Sequence, residues 1–132
     1  MTPEHTKYLY DTYPALYRQH ALPMSETAMC WGIDTGDGWF DIINRLSKRI
    51  TEIDAREGTT TEAVQVKEKF GTLRFYIDLG TDDVFAAIEE AERESAVTCE
   101  ACGKPGRLRV GGWLTTRCDE CAGDEPRKEK PN

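Results

Sequence analysis

Two Cys-x-x-Cys pairs, Cys99/Cys102 and Cys118/Cys121, stand fifteen residues apart in the stretch CEACGKPGRLRVGGWLTTRCDEC. Two residues between thiols let a tight turn aim both sulfurs at one ion, and a spacer of this length can run out and return as a hairpin carrying the second pair. The expected chemistry is tetrahedral coordination of one Zn²⁺ in a zinc ribbon. Four sulfurs close the coordination sphere and leave no position for water or substrate, so the site reads as structural rather than catalytic. A redox dithiol needs only one pair, and a double disulfide needs an oxidising compartment; disulfides and an iron centre are the alternatives. Metal binding contributes on the order of 10 kcal/mol to folding, which matters in a segment too short to bury a core of its own.

Other residues invite chemistry less strongly. Asp34, Asp37 and Asp41 fall within eight residues around the turn cluster DTGDG, a pattern open to a divalent cation or to acid/base work. The plainer reading is a turn followed by a helix start, with Asp37 as cap and Asp41 near the positive helix end. A nucleotide-binding loop would need a Lys and a Ser/Thr that are absent here, and the aspartates would repel a phosphate, so an NTPase is not expected. A hydrolase would require the three aspartates to converge in a cleft. Cys30, the fifth cysteine, has no partner and reads as a small buried apolar residue; the two histidines, His5 and His20, lie outside any motif that would activate it. The chain is therefore read as a non-enzyme.

Two basic strips are candidate binding surfaces. Lys67, Lys69 and Arg74, interleaved with Phe70 and Tyr76, would place three cations on one face of a hairpin and attract an anionic ligand or an acidic partner. The competing reading pairs them with Glu68, Asp78 or the acidic last helix. In the spacer between the cysteine pairs, Lys104, Arg107, Arg109 and Arg117 accompany Trp113, a combination that can stack on bases and grip phosphates or simply lie exposed.

The elements that must hold these residues follow from periodicity. Residues 3–20 have helical spacing at Tyr8, Leu9, Tyr13, Leu16 and Tyr17, with Pro3 at the first position and Pro14 forcing a kink or two short helices. Residues 21–33 read as a loop entering a short strand around Met29 to Ile33. Trp39, Ile42, Ile43, Leu46, Ile50 and Ile53 then fall on one face of a helix between Gly38 and Ala55, where Trp39, like Trp31, is expected to anchor the core. From Glu62 to Gly80 the period becomes two, with Val64, Val66 and Phe70 pointing one way. A parity slip at Gly71 marks a hairpin in preference to one bulged strand. A last helix from Asp82 buries Val84, Phe85, Ile88 and Ala91 and leads into the ribbon at Thr98.

Length and charge limit the remaining choices. At 132 residues and 39% hydrophobic content, the chain has material for one α+β domain over residues 1–96, with an antiparallel hairpin flanked by helices. A zinc ribbon over 97–122 and a disordered tail over 123–132 complete it. The net charge is −7, and residues 81–96 alone carry six acids and one base, so any nucleic-acid contact must be local. No membrane-length apolar run occurs, and MTPEHTKYLY lacks the basic start and apolar run of a secretory signal, so a cytoplasmic protein is expected.

Three strings, GIDTGDGWFDII, VQVKEKFGTLRFY and the two-knuckle stretch with GGW before its second pair, resemble a family of small zinc-ribbon proteins encoded by bacteriophages and prophages. The resemblance covers the chain from about Met29 to Cys121. It implies an accessory protein in the cytoplasm of a bacterial host that binds a host component, with inhibition of an anti-phage defence system as its specific form. It carries over no catalytic residue. The other expectations for function are sequestration of an anionic nucleotide signal at the hairpin face and nucleic-acid binding by the ribbon.

Overall fold

A computed structural model describes residues 1–123. Its first helix, α1 (Pro3–Thr12), is capped by Thr2, whose hydroxyl accepts the His5 N–H at 3.3 Å. As Pro14 requires, the helix stops before it, and the chain continues through a short 3₁₀ turn at Arg18–Ala21. Leu9, Tyr13, Leu16 and Tyr17 are buried along this entry. A second 3₁₀ turn, Ala28–Trp31, occupies the stretch expected to be a strand; only Ile33–Asp34, β1, is extended. Thr27 caps that turn through the Met29 N–H at 3.1 Å. With three residues per turn, Met29 and Trp31 lie on different faces. Met29 is fully buried, and Trp31 is 71% exposed rather than a core anchor.

The expected central helix is present as α2 (Phe40–Glu57), preceded by a 3₁₀ turn at Asp37–Trp39. Trp39, Ile42, Ile43, Leu46, Ile50 and Ile53 are all buried, as their spacing requires. Fully burying each large aliphatic side chain contributes about 2 kcal/mol, which makes this stripe the main apolar contribution of any element. Ser47 is also buried on this face; its hydroxyl donates to the Ile43 carbonyl at 2.7 Å, so the Tyr17 hydroxyl donates to it at 2.6 Å. Asp37 does not cap the helix. Its carboxylate accepts the Thr2 N–H at 2.8 Å and faces His5 at 3.2 Å, tying the start of α1 to this turn.

A hairpin follows, β2 (Glu62–Lys69) and β3 (Thr72–Asp78), and its turn falls at Phe70-Gly71 where the parity slips. With β1 parallel to β2, the sheet order is β1-β2-β3. A register shift between Ala63 and Gln65 turns Val64 out of the core, and Phe70 stands in the turn, so of the three expected inward residues only Val66 is buried. Val66, Leu73 and Phe75 join the core of α2; the opposite face carries the cross-strand pairs Gln65–Tyr76 and Lys67–Arg74.

Thr81 caps α3 (Asp82–Ser95), which buries Val84, Ile88 and Ala91 but leaves Phe85 46% exposed. Its side chains reach the outer edge of β3. Leu73 N–H donates to Ser95 Oγ at 2.9 Å, and Phe75 N–H donates to Glu92 Oε2 at 3.1 Å. The C-terminal module has two short antiparallel strands, β4 (Arg107–Arg109) and β5 (Thr115–Arg117), and a one-turn helix, α4 (Asp119–Ala122). The fold is thus α+β, as expected, with a cysteine-bearing hairpin at the end. Gly123 apart, the expected tail lies outside the described residues. No helix among the described residues is long and apolar enough to cross a membrane.

Candidate metal centre

The spacer between the cysteine pairs does return the second pair to the first. The four sulfurs of Cys99, Cys102, Cys118 and Cys121 all lie within 4.8 Å of one another. A tetrahedron with metal–sulfur bonds near 2.3 Å has sulfur–sulfur edges of about 3.8 Å, and Cys102 and Cys118 are 3.6 Å apart. All are free thiols, and that separation is well beyond the ~2 Å of a disulfide. The backbone forms two knuckles around them. Gly103 N–H donates to the Cys99 carbonyl at 2.9 Å, Cys99 N–H to the Lys104 carbonyl at 2.7 Å, and Cys121 N–H to Cys118 Sγ at 3.4 Å.

Electrostatics at the cluster favour a cation. Burial would raise the Cys99 thiol, but amide donation from Cys118, Cys102 and Ala101 outweighs it and brings the group down to about 6. Cys121, in contact with Cys118, Cys102 and Cys99, is pushed up to about 12. One thiolate is prepared by amides, while Cys102 and Cys121 resist ionising beside it until a positive ion joins them. The donor set therefore fits a structural metal site with four sulfur ligands.

The cluster is seated on the α+β body by DTGDG. Gly38 N–H donates to the Glu100 carbonyl at 2.7 Å, Gly36 N–H to Glu100 Oε2 at 2.8 Å, and the Trp39 indole N–H to the Thr98 carbonyl at 2.8 Å. A Cβ at Gly36 would lie 2.4 Å from the Glu100 carbonyl oxygen, and one at Gly38 would lie 2.2 Å from that of Cys99. Glycine is required at both positions because the first knuckle lies directly on the turn. Burial raises the Glu100 carboxyl above its usual range, against the opposing Gly36 amide. A second seat joins the two hairpins, where Thr116 Oγ donates to the Gly71 carbonyl at 2.5 Å.

The remaining candidates separate clearly. Among the described residues, the four cysteines are the only group arranged to hold a metal, so Asp34, Asp37 and Asp41 do not converge. Cys30 is half-buried. On the ribbon, Lys104 faces Glu120 at 3.5 Å and Arg107 faces Asp119 at 3.8 Å. Arg109 is drawn inward, bonding Asp119 at 2.8 Å and the Arg117 carbonyl at 2.9 Å, while Arg117 reaches the Cys121 carbonyl at 3.4 Å. Trp113 stands apart, 84% exposed. Lys67, Lys69, Arg74 and Tyr76 share the open sheet face, and no carboxylate among the described residues lies within ion-pair distance of the three cations.

Comparison of the chain with protein-family models, curated proteins and solved structures gave no match in any of the three. Sequence reasoning missed the seating role of Gly36, Gly38 and Glu100. The available signal was the glycine pair of DTGDG before a helix, without the lysine that a phosphate loop would add.

Proposed function

We propose that the protein is a non-enzymatic binding protein in which Zn²⁺, held by Cys99, Cys102, Cys118 and Cys121, braces a ribbon against an α+β body. One observation carries this reading: four thiols face one another at coordination distance, and a tetrahedral ion among them would have no vacant position for water or substrate. Cys102 is exposed, and a redox-inert ion suits a sulfur shell open to solvent better than iron does. Elemental analysis should find one zinc per chain, with no visible iron–thiolate absorption. Chelation should release it together with the near-ultraviolet signal of Trp39, whose indole bonds the start of the first knuckle. Purified protein with no stoichiometric metal would refute the reading.

The resemblance of three strings to phage and prophage zinc-ribbon proteins supports a more specific role, binding a bacterial host component as an inhibitor of an anti-phage defence system. Expression in defended bacterial strains should restore plaque formation by a sensitive phage. Unchanged plaque counts across a panel of defence systems would refute the role.

A further inference from the structure

The sheet face turned away from the core breaks two local rules together. Lys67 and Arg74 are direct cross-strand partners, and like charges placed opposite each other cost stability. Asp34 stands in register with Lys67 on its other side, yet it is not within ion-pair distance. Arg74 Nε is buried without a hydrogen-bond partner among the described residues. At the turn, Phe70 takes a φ of 55°, where a two-residue hairpin favours Asn or Gly, and it is 64% exposed. No carboxylate among the described residues lies within ion-pair distance of the Lys67–Arg74 pair to offset its repulsion, and such lapses concentrate where a chain binds something.

Lys67 and Phe70, one from each lapse, line one depression. A depression of about 470 Å³ beside Thr27, Gln65 and Tyr76 includes Lys67 and Lys69, and a second of about 420 Å³ continues from the same lysines to Phe70, Trp113 and Leu114. Along it, rings and cations alternate: Tyr76, then Lys67, then Lys69 with its ammonium 5.4 Å from the Phe70 ring, then Trp113, while Arg74 stands across the strands from Lys67. The Thr116–Gly71 bond locks the ribbon to the hairpin turn and so presets the two rims. Two acids line the groove: Glu68, which already accepts the Gly71 N–H at 2.7 Å, and Glu26 beside Thr27.

We propose that this groove binds single-stranded nucleic acid, with Phe70 and Trp113 stacking on bases while Lys67 and Lys69 take phosphates. Exposed ring faces beside unpaired cations need flat, unstacked, anionic partners. A duplex hides its bases, and the acidic remainder of the molecule repels its second strand. An acidic peptide would satisfy the cations but leave the rings and the strained turn unexplained. The strand from Gln65 to Lys69 spans about 13 Å, which is longer than one mononucleotide needs. This inference rests on the reading of the chain as a zinc-braced binding protein.

Fluorescence anisotropy with the full zinc-loaded chain tests it, using labelled twelve-nucleotide oligo-dT and oligo-U, a duplex of equal length and a Glu/Phe-rich peptide. Both single strands should bind in preference to the duplex and the peptide. With two cations on phosphates, the slope of log K against log salt should be about −1.4. Trp113→Ala should weaken binding at least about fivefold, and Lys67→Gln should reduce the slope by about 0.7. Arg107→Gln, on the acid-paired strip, should change neither. Phe70→Asn should raise Tm while weakening binding, which a purely structural residue would not do. Absence of strand binding, unchanged affinity of Trp113→Ala, or preference for the peptide would each overturn the inference. If the sample carries one zinc per chain and unfolds cooperatively yet binds no strand, the groove assignment fails and the braced scaffold stands; a zinc-free sample refutes the scaffold instead.

Discussion

Gly38→Ala isolates the contact that holds the metal module to the body. An added Cβ would lie 2.2 Å from the Cys99 carbonyl oxygen and 2.6 Å from both the carbonyl carbon and oxygen of Glu100. These atoms are knuckle backbone rather than flexible side-chain tips, so the knuckle must lift. Lifting it stretches the Gly38–Glu100 bond at 2.7 Å, the Gly36 bond to the Glu100 carboxylate at 2.8 Å and the Trp39–Thr98 bond at 2.8 Å. At about 1 kcal/mol for each neutral bond and about 2 for the carboxylate, the loss approaches 3–4 kcal/mol. Against a total stability of about 5–15 kcal/mol, that is a large fraction. Backbone entropy predicts the opposite sign, because alanine in a helical lead-in is worth up to ~1 kcal/mol over glycine. Urea unfolding of zinc-loaded protein should therefore show a loss of about 3 kcal/mol, with faster transfer of zinc to a chelator. Wild-type or greater stability with zinc retained would refute the seating argument.

The other predictions concern single contacts. Trp39→Phe keeps the ring buried but deprives the Thr98 carbonyl of its donor, and chemical denaturation should show a cost of about 1–3 kcal/mol; Trp31→Ala, at an exposed position, should stay within about 0.5 kcal/mol of wild type. Thr116→Val removes the buried donor to Gly71 and should cost about 1–2 kcal/mol, while Thr116→Ser should recover most of it. Hydrogen bonds from the Arg18 guanidinium and then from Gln19 hold the Glu62 carboxyl below its usual range. A lowered folded-state value means that its stabilisation is complete above the ordinary glutamate value of 4.5 and fades as pH falls through the folded one. Tm measured against pH should accordingly fall less steeply on the acid side for Glu62→Gln than for wild type.

Much of this fold is legible in periodicity because burial enforces it. The α2 stripe from Trp39 to Ile53 and the parity slip at Gly71 both survive into three dimensions, since moving either would expose a whole apolar face. The cysteine cluster is legible for a different reason: its spacing encodes a closed loop whose ends must meet. What escapes sequence reading is pairing between distant segments. Nothing near Asp37 reveals that Thr2 will claim its carboxylate, and nothing in DTGDG reveals Glu100, which comes from a segment more than sixty residues away. Trp31 and Phe85 are misread because hydrophobicity alone does not say which side of a turn a ring occupies. Val64 is misread because one bulge reverses alternation for a single residue.

The anchoring of α3 along the outer edge of β3 has a consequence for how this molecule can associate. With the Leu73 and Phe75 amides already satisfied by Ser95 and Glu92, that margin offers no template for a strand from another chain, and β1 at the far side is only two residues long. Neither border of the three-stranded sheet therefore invites strand addition. A partner meeting this three-stranded sheet must be gripped by side chains rather than by its extension.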